Sequence, residues 1–176
     1  MYNDIKPLIR HIEDFPKKGV TFRDLAPVYA NKESLKNTVN ALAQEFLKWN
    51  TPIDYVASLE SQGFVVGGAL AHTLGAGFIQ IRKKDELPGN VEQVSFEMQY
   101  ATSTLEIQTG IFPEGKNVLL YDDTLVTGNT ATHAAYLIEK IGLHVIGFSF
   151  IMHLTGMCNP EKMLKKPCTI LYAEPV

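Results

Sequence analysis

Apolar side chains recur every three or four positions in "SLKNTVNALAQEFLKWN", residues 34–50. The repeating positions are Leu35, Val39, Leu42, Phe46 and Trp49. Because a helix turns once in about 3.6 residues, this spacing predicts a helix with one buried face. Ser34 stands directly before the repeat and is the predicted N-cap of that helix.

After residue 50 the pattern changes to short apolar runs separated by longer amphipathic segments. The short runs predict strands at residues 53–60, 77–82, 117–123, 144–152 and 168–173. Helices are predicted between them at residues 63–74 and 130–141. Strands that alternate with helices are typical of an α/β fold, so we expect a parallel sheet flanked by helices.

Composition and charge narrow the class of protein. Of the 176 residues, 45% are hydrophobic and 20% are charged, as in ordinary globular proteins, and the formal net charge is -3. This charge argues against nucleic acid or a membrane surface as a partner. Cys158 and Cys168 lack metal-type spacing, no run reaches the roughly 20 apolar residues of a membrane span, and residues 1–15 do not resemble a signal peptide. We expect a single cytoplasmic domain over residues 1–176.

Charged side chains stand where the predicted strands end. Glu60 and Arg82 close two of the strands, and Asp122 and Asp123 close a third. In open α/β sheets, ligands bind at the carboxyl ends of the strands. These four residues therefore mark the candidate site.

The loop "TGNT" joins the third of these strands to a predicted helix. It consists of Thr127, Gly128, Asn129 and Thr130. Backbone N–H groups and the helix dipole at such a place favour a phosphate, although the GxxxxGK[ST] pattern of a Walker loop is absent. The alternative is an ordinary strand-loop-helix turn capped by Asp and Thr.

Two negative charges, Asp122 and Asp123, lie beside this predicted anion site. Carboxylates accept hydrogen bonds from a sugar diol or ligate a divalent metal through oxygen. A ligand with a phosphate at one end and a ribose diol in its middle would suit both features. Its phosphate would bind to the loop, and its diol would donate hydrogen bonds to the two carboxylates. The sequence therefore predicts a phosphorylated ribose as the ligand.

The segment "VLLYDDTLVTGNT" resembles the phosphoribosyl pyrophosphate (PRPP) motif of type I phosphoribosyltransferases, and three further segments resemble the adenine phosphoribosyltransferase branch. "DFPKKGVTFRDLAPVYAN" is similar to its N-terminal purine-recognition segment. "LESQGFVVGGALAHTLGAGFIQIRKKDELPG" is similar to its pyrophosphate loop, the helix that follows and its basic loop. "VSFEMQYATSTLEIQ" is similar to its flexible catalytic flap. The segments occur in the family's order and cover nearly the whole chain.

The resemblance implies a fold and a reaction. The fold would be a parallel sheet flanked by helices, with a small N-terminal hood within residues 1–32 and a flexible flap at residues 83–106. The reaction would transfer 5-phosphoribosyl from PRPP to N9 of adenine, giving AMP and pyrophosphate in purine salvage. Mg²⁺ would be the cofactor, bound mainly through PRPP and otherwise by Asp122 and Asp123, and the protein would be a homodimer.

The resemblance also implies roles for individual residues. Ribose and 5′-phosphate would be bound by Asp122, Asp123, Val126, Thr127, Gly128, Asn129 and Thr130. Pyrophosphate would be bound by Glu60, Ser61, Gln62, Gly63, Arg82, Lys83 and Lys84. The purine would be bound by Val20, Thr21, Phe22 and Arg23, and the catalytic flap would carry Glu97, Gln99 and Tyr100. Simpler alternatives are a solvated charge run at residues 82–84, a surface ion pair between Arg23 and Asp24, and a packed aromatic at Tyr100.

Three residues depart from the family pattern where it carries chemistry. Gln62 replaces an arginine, Glu86 replaces a lysine, and Gln99 replaces the glutamate that handles a proton. Glutamine forms hydrogen bonds but is not a general acid or base, so Glu97 is the substitute candidate. Three hypotheses follow: an adenine phosphoribosyltransferase, a phosphoribosyltransferase for hypoxanthine or guanine, or a PRPP- or nucleotide-binding protein with little catalysis. The intact ribose, phosphate and purine segments favour the first.

Overall fold

The computed structural model of the protein describes residues 5–98 and 101–176. The strands are β1 (Arg10–Ile12), β2 (Phe22–Asp24), β3 (Tyr55–Leu59), β4 (Gly77–Lys83), β5 (Val91–Met98), β6 (Ala101–Gln108), β7 (Asn117–Leu125), β8 (His144–Thr155) and β9 (Cys168–Pro175). The helices are α1 (Ala26–Ala30), α2 (Lys32–Phe46), α3 (Gln62–Leu74), α4 (Asn129–Lys140) and α5 (Pro160–Leu164), with a short 3-10 helix at Lys6–Leu8.

Seven strands form one sheet in the order β5-β6-β4-β3-β7-β8-β9. The five strands from β4 to β9 in this order run parallel; at the centre, Tyr55 of β3 pairs with Gly77 of β4 on one side and with Val118 of β7 on the other. β5 and β6 pair antiparallel with each other, and β6 pairs antiparallel with β4. The predicted parallel sheet flanked by helices is confirmed, and β5 and β6 add an antiparallel edge to it.

The apolar run of β7 is continuous because both faces of the sheet are covered. Val118 and Leu120 pack in one buried cluster with residues of α4. Leu119 and Tyr121 pack in a second cluster with residues of α2 and α3. Since successive side chains of a strand point to opposite faces, a strand covered on both sides has no polar alternation.

Most element boundaries differ from the prediction by a few residues, and two of these differences change an interpretation. The predicted N-cap Ser34 is wrong: α2 begins at Lys32, and the side chain of Asn31 accepts hydrogen bonds from the N–H groups of Glu33 and Ser34. The first turn of α2 lacks the apolar repeat, so the repeat marked the second turn. β7 continues to Leu125, so the two acids lie inside the strand. No helix of the described residues is both long enough and apolar enough to cross a membrane.

β1 and β2 form a separate antiparallel ribbon in which Arg10 pairs with Asp24 and Ile12 with Phe22. The chain on both sides of the ribbon is anchored in the cluster shared with α2 and α3, through Ile5, Ile9, Leu25 and Val28. This ribbon is the structural counterpart of the expected N-terminal hood, and it carries the predicted purine segment.

Replacing Gly67 by Ala should lower the melting temperature, whereas Gly68→Ala should not. A Cβ at Gly67 would lie 1.9 Å from Ser58 Oγ and 3.2 Å from Tyr121 Cδ1, while a Cβ at Gly68 would meet nothing within 4 Å. Overpacking a core destabilises by about 1–3 kcal/mol, and Ala in place of an unconstrained helical Gly stabilises by up to about 1 kcal/mol. Thermal melting of the two variants measures the difference. Equal melting temperatures would show that α3 does not approach β3 this closely.

Candidate active site

The predicted phosphate loop lies between the end of β7 and the start of α4. Gly128 has φ +78°, and a Cβ there would lie 2.7 Å from Met163 Cγ. Glycine is therefore required for both the left-handed turn and the packing of α5. The loop surrounds a cavity of about 80 Å³, lined by Asp122, Thr124, Leu125, Val126, Thr127, Gly128, Thr130, Ala131 and Phe150. The N–H of Asn129 in the first turn of α4 makes only a long hydrogen bond, to Thr127 Oγ1 at 3.4 Å. Because a helix leaves the N–H groups of its first turn without partners in the helix, these groups and the helix dipole make this cavity suited to an anion.

The two acids of β7 are adjacent and share a local hydrogen bond, since the N–H of Asp123 donates to Asp122 Oδ1 at 3.0 Å. Gly63 at the start of α3 lets the helix approach them, because a Cβ there would lie 3.0 Å from Asp122 Oδ1. Burial raises the pKa of Asp122 well above its ordinary value, and the charge of Asp123 raises it further. Burial likewise raises the pKa of Asp123. Hydroxyl donors or a cation at this position would stabilise the ionised pair.

A larger cavity of about 590 Å³ lies next to the loop, within the size range of small-molecule sites. Its walls come from the ribbon, from α3 and from the ends of β7, β8 and β9. The lining residues are Gly19, Val20, Thr21, Phe22, Arg23, Gln62, Asp123, Thr124, Val126, Leu154 and Val176. All four residues predicted for the purine are thus gathered at one cavity, together with Gln62 and one of the two acids.

Arg82 was predicted to face pyrophosphate. Its guanidinium instead contacts the carboxylates of Glu60 and Glu86. Its Nε donates to Glu60 Oε2 at 3.0 Å, its Nη2 lies 3.2 Å from Glu86 Oε2, and its Nη1 donates to the Glu86 carbonyl at 3.1 Å. Burial favours the neutral form of Glu60, but hydrogen bonds from Glu86, Arg82 and the Lys83 N–H outweigh it and lower the pKa of Glu60. The hydrogen bond to Glu60 raises the pKa of Glu86. Lys83, Lys84 and Ser61 expose their side chains.

Glu106 of β6 anchors the loop that carries Glu86. Only 1% of this residue is exposed, and its carboxylate accepts hydrogen bonds from the N–H groups of Asp85, Glu86 and Leu87, at 2.6 to 3.1 Å, and from Gln93 Nε2 at 3.1 Å. Burial alone would raise the pKa of Glu106, but these donors outweigh it and hold the pKa below the usual range. The backbone of the loop is therefore held by Glu106 without any contact to the Glu86 side chain.

Three residues of the flap were predicted to be catalytic, namely Glu97, Gln99 and Tyr100. Of these three only Glu97 can be described, because Gln99 and Tyr100 lie outside the described residues. Glu97 is exposed on β5, and its Oε1 accepts a hydrogen bond from Thr102 Oγ1 at 3.1 Å. The alternative ion pair between Arg23 and Asp24 is wrong. Asp24 pairs with Arg10, and Arg23 pairs with Glu174.

Comparison with known proteins supplies the family. The phosphoribosyl transferase domain profile matches residues 26–169. The adenine phosphoribosyltransferase of Rippkaea orientalis is 42% identical over 168 residues, which are 96% of this chain and 98% of that protein. The chain belongs to the adenine phosphoribosyltransferase family.

Solved structures of adenine phosphoribosyltransferases share the fold over the full length. The enzyme from Thermoanaerobacter pseudethanolicus superimposes with a TM-score of 0.92 at 33% identity, covering 99% of this chain and 100% of that one. The enzyme from Saccharomyces cerevisiae, complexed with adenine and an imino-altritol bisphosphate, superimposes with a TM-score of 0.88 at 31% identity, covering 97% of each chain. The family resemblance and the fold class expected from the sequence are confirmed.

Two acids of this adenine phosphoribosyltransferase-family chain were missed by sequence analysis. Glu106 stands between Leu105 and Ile107, and an acid between two buried strand residues was the only signal available for it. Glu174 follows a short apolar run near the carboxyl end and shows no pattern at all. Both act through contacts with segments distant in the sequence.

Proposed function

We propose that this chain transfers the 5-phosphoribosyl group of PRPP to N9 of adenine and releases AMP and pyrophosphate, as an enzyme of purine salvage. One observation carries the proposal: the anion-suited cavity at the loop and the larger cavity under the ribbon adjoin, sharing Thr124 of β7 and Val126 just after that strand. Asp122 lines the first and Asp123 the second. This order of phosphate cavity, acids and larger cavity matches the order of phosphate, ribose and base in AMP.

The chemistry requires control of charge. Cleavage at C1 of the sugar leaves positive character on the ribose and negative charge on pyrophosphate, so the site must hold the leaving group and exclude water. In our proposal, Asp122 and Asp123 accept hydrogen bonds from the ribose hydroxyls, and residues 126–130 hold the 5′-phosphate. Residues 60–63 and 82–84 hold pyrophosphate. Aligning the two substrates supplies much of the remaining rate enhancement.

We also propose Mg²⁺ as the cofactor. No group of three or more His, Cys, Asp or Glu side chains among the described residues could hold a metal ion. Phosphate and hydroxyl oxygens of PRPP would therefore supply most of its ligands, with Asp122 and Asp123 as the protein donors, and such oxygen ligands suit Mg²⁺. When bound, Mg²⁺ neutralises the charge that develops on pyrophosphate.

The flap is proposed to close over the purine. Gln99 would hydrogen-bond to the base without exchanging a proton with it, and Tyr100 would cover the site. Glu97, two residues before Gln99, is the acid proposed to replace it in proton transfer.

The larger organisation is proposed from the family. A single domain, a homodimer and a cytoplasmic location are the expected arrangement. The family profile spans 144 residues around one sheet, which supports a single catalytic unit.

Adenine is expected to be the preferred base. Adenine presents an amino donor beside a ring-nitrogen acceptor, and 6-oxopurines present the reverse order. A backbone N–H and C=O pair at Thr21 that matches adenine leaves unpaired groups with hypoxanthine or guanine. An unpaired buried polar group costs about 1–3 kcal/mol, so we expect roughly ten- to a hundred-fold higher kcat/KM for adenine. The test measures turnover of purified protein with PRPP, Mg²⁺ and each of adenine, hypoxanthine, guanine and xanthine.

Other outcomes of this assay discriminate between the remaining hypotheses. Equal or faster turnover of hypoxanthine would identify a 6-oxopurine enzyme. The pairing of Arg82 with Glu60 and Glu86 favours a second candidate function, a nucleotide-binding protein with weak catalysis. No turnover with any purine, together with micromolar binding of PRPP or AMP by calorimetry, would support that candidate.

A further inference from the structure

All three nitrogens of the Arg23 guanidinium are engaged within the protein. Nε donates to Glu174 Oε1 at 2.8 Å, Nη1 donates to the Thr21 carbonyl at 2.6 Å, and Nη2 donates to the Pro175 carbonyl at 2.9 Å. Only 10% of the side chain is exposed. Arg23 therefore links the ribbon to β9 and touches the same Thr21 peptide that we assign to the purine edge.

Glu174 is the acid that fixes Arg23. Its Oε1 also lies 2.9 Å from His11 Nε2, and its Oε2 accepts a hydrogen bond from the Tyr172 hydroxyl at 2.9 Å. Burial would raise the pKa of Glu174, but the hydrogen bonds from Arg23, His11 and Tyr172 outweigh it and lower the pKa. The carboxylate is thus ionised and held at both oxygens, which makes it a rigid partner for the guanidinium.

We infer that Glu174 is a positioning residue for purine recognition: through Arg23 it holds the Thr21 carbonyl in the orientation that accepts the amino group of adenine. A carbonyl oxygen has two lone pairs, and Arg23 occupies one of them, which leaves the second for a ligand. While that bond persists, the peptide cannot rotate. The order in which the backbone at Thr21 presents its C=O acceptor and N–H donor to the purine is then fixed. That order distinguishes adenine from 6-oxopurines. The inference rests on the proposed function.

Glu174 contacts both strands of the ribbon, through His11 and Arg23, but the ribbon also has attachments that do not involve Glu174. Asp24, next to Arg23, accepts a hydrogen bond from Arg10 Nε at 2.9 Å through Oδ2 and one from the Ala26 N–H at 2.9 Å through Oδ1. These contacts hold β2 against β1 and the start of α1. Loss of Glu174 should therefore loosen the Thr21 peptide locally without releasing the ribbon.

The test is Glu174→Gln in the full-length protein. We expect the KM for adenine to rise about tenfold, because the acceptor of the Arg23 hydrogen bond loses its charge and the ion pair is lost, with the KM for PRPP unchanged. The adenine to hypoxanthine ratio of kcat/KM should fall by a similar factor. A merely structural role would change both KM values together and leave the ratio constant. The matched control is Glu161→Gln, an exposed acid of α5, for which no change in these constants is expected.

Each remaining outcome is decisive. An unchanged adenine KM and an unchanged ratio in folded Glu174→Gln would overturn the inference. If that variant does not fold, the double variant His11→Ala/Tyr172→Phe replaces it, since it leaves the Glu174 carboxylate with Arg23 alone. The ratio is then expected to fall about threefold, because the carboxylate keeps its bond to Arg23 but loses the two contacts that fix its orientation, and a constant ratio would overturn the inference. Absence of adenine turnover in the wild-type protein would instead refute the proposed function.

Discussion

Replacing both Asp122 and Asp123 by Asn should remove PRPP binding and, at the same time, raise the melting temperature at neutral pH. The loss of binding follows from the proposed ribose contacts. Two charge-assisted hydrogen bonds contribute about 1.5–3 kcal/mol each, so PRPP affinity should fall by at least about a hundredfold. Isothermal titration calorimetry of the double variant with PRPP and Mg²⁺ measures this loss.

The expected gain in stability follows from the pKa directions of the two acids. Both pKa values are raised in the folded protein, from an ordinary value of 3.8. A group with a raised pKa stabilises the fold below its unfolded pKa, and this stabilisation is lost as the pH rises through the folded pKa. At neutral pH the two acids therefore destabilise the protein, and neutral Asn relieves this. The gain should disappear below about pH 4, where the acids are protonated in both states.

The matched control is Glu114→Gln, which removes an exposed charge just before the amino end of β7. It should change neither PRPP affinity nor its pH dependence. If the double Asn variant binds PRPP as the wild type does, the ribose assignment of these acids is wrong. If it loses binding but also melts earlier at neutral pH, the acids have partners that stabilise their charge.

Replacing Glu86 by Lys should lower the KM for PRPP about tenfold at low ionic strength, because a repulsive charge is exchanged for an attractive one. The substitution removes the carboxylate that pairs with Arg82 and adds a cation beside the proposed pyrophosphate position. The loop should keep its conformation, because Glu106 binds the N–H of residue 86 and not its side chain. Glu86→Gln should give an intermediate value. Added salt should reduce the effect, since the groups are partly exposed.

Combining Glu86→Lys with Gln62→Arg and Gln99→Glu should raise kcat/KM for adenine further. Gln62→Arg adds a cation at the wall of the larger cavity. Gln99→Glu should act mainly on kcat, because a general acid or base typically contributes about 10²–10⁴ in rate. Steady-state kinetics at saturating Mg²⁺ separates the two effects.

The charge control for this series is Glu114→Lys. It changes the net charge as Glu86→Lys does, but it lies before the amino end of β7, whereas the candidate site lies at the carboxyl end of that strand. It should leave the KM for PRPP unchanged. A lower kcat/KM in the triple variant would mean that Gln62, Glu86 and Gln99 belong to a differently arranged site.

The sequence by itself determined the parallel sheet, the loop after β7 and the family. Each is a local pattern: continuous apolar runs for strands covered on both faces, and a short run of acids, hydroxyls and glycine between a strand and a helix. Gly128 is an example: the sequence placed it in a loop between a strand and a helix, and in the structure its left-handed φ makes the turn at the start of α4.

Only the tertiary structure decided which charges meet. Glu174 lies 151 positions from Arg23, and Glu60 lies 22 positions from Arg82, so no periodic trace of either pair exists in the sequence. The sequence placed Arg23 beside Asp24, but neighbouring residues of a strand point to opposite faces, and each found its partner on another segment. The family resemblance assigned Arg82 to pyrophosphate, and only the folded chain shows that Glu60 and Glu86 pair with it. Which acid reaches a cation depends on how the loops and strand ends fold together, and that is a property of the packed chain.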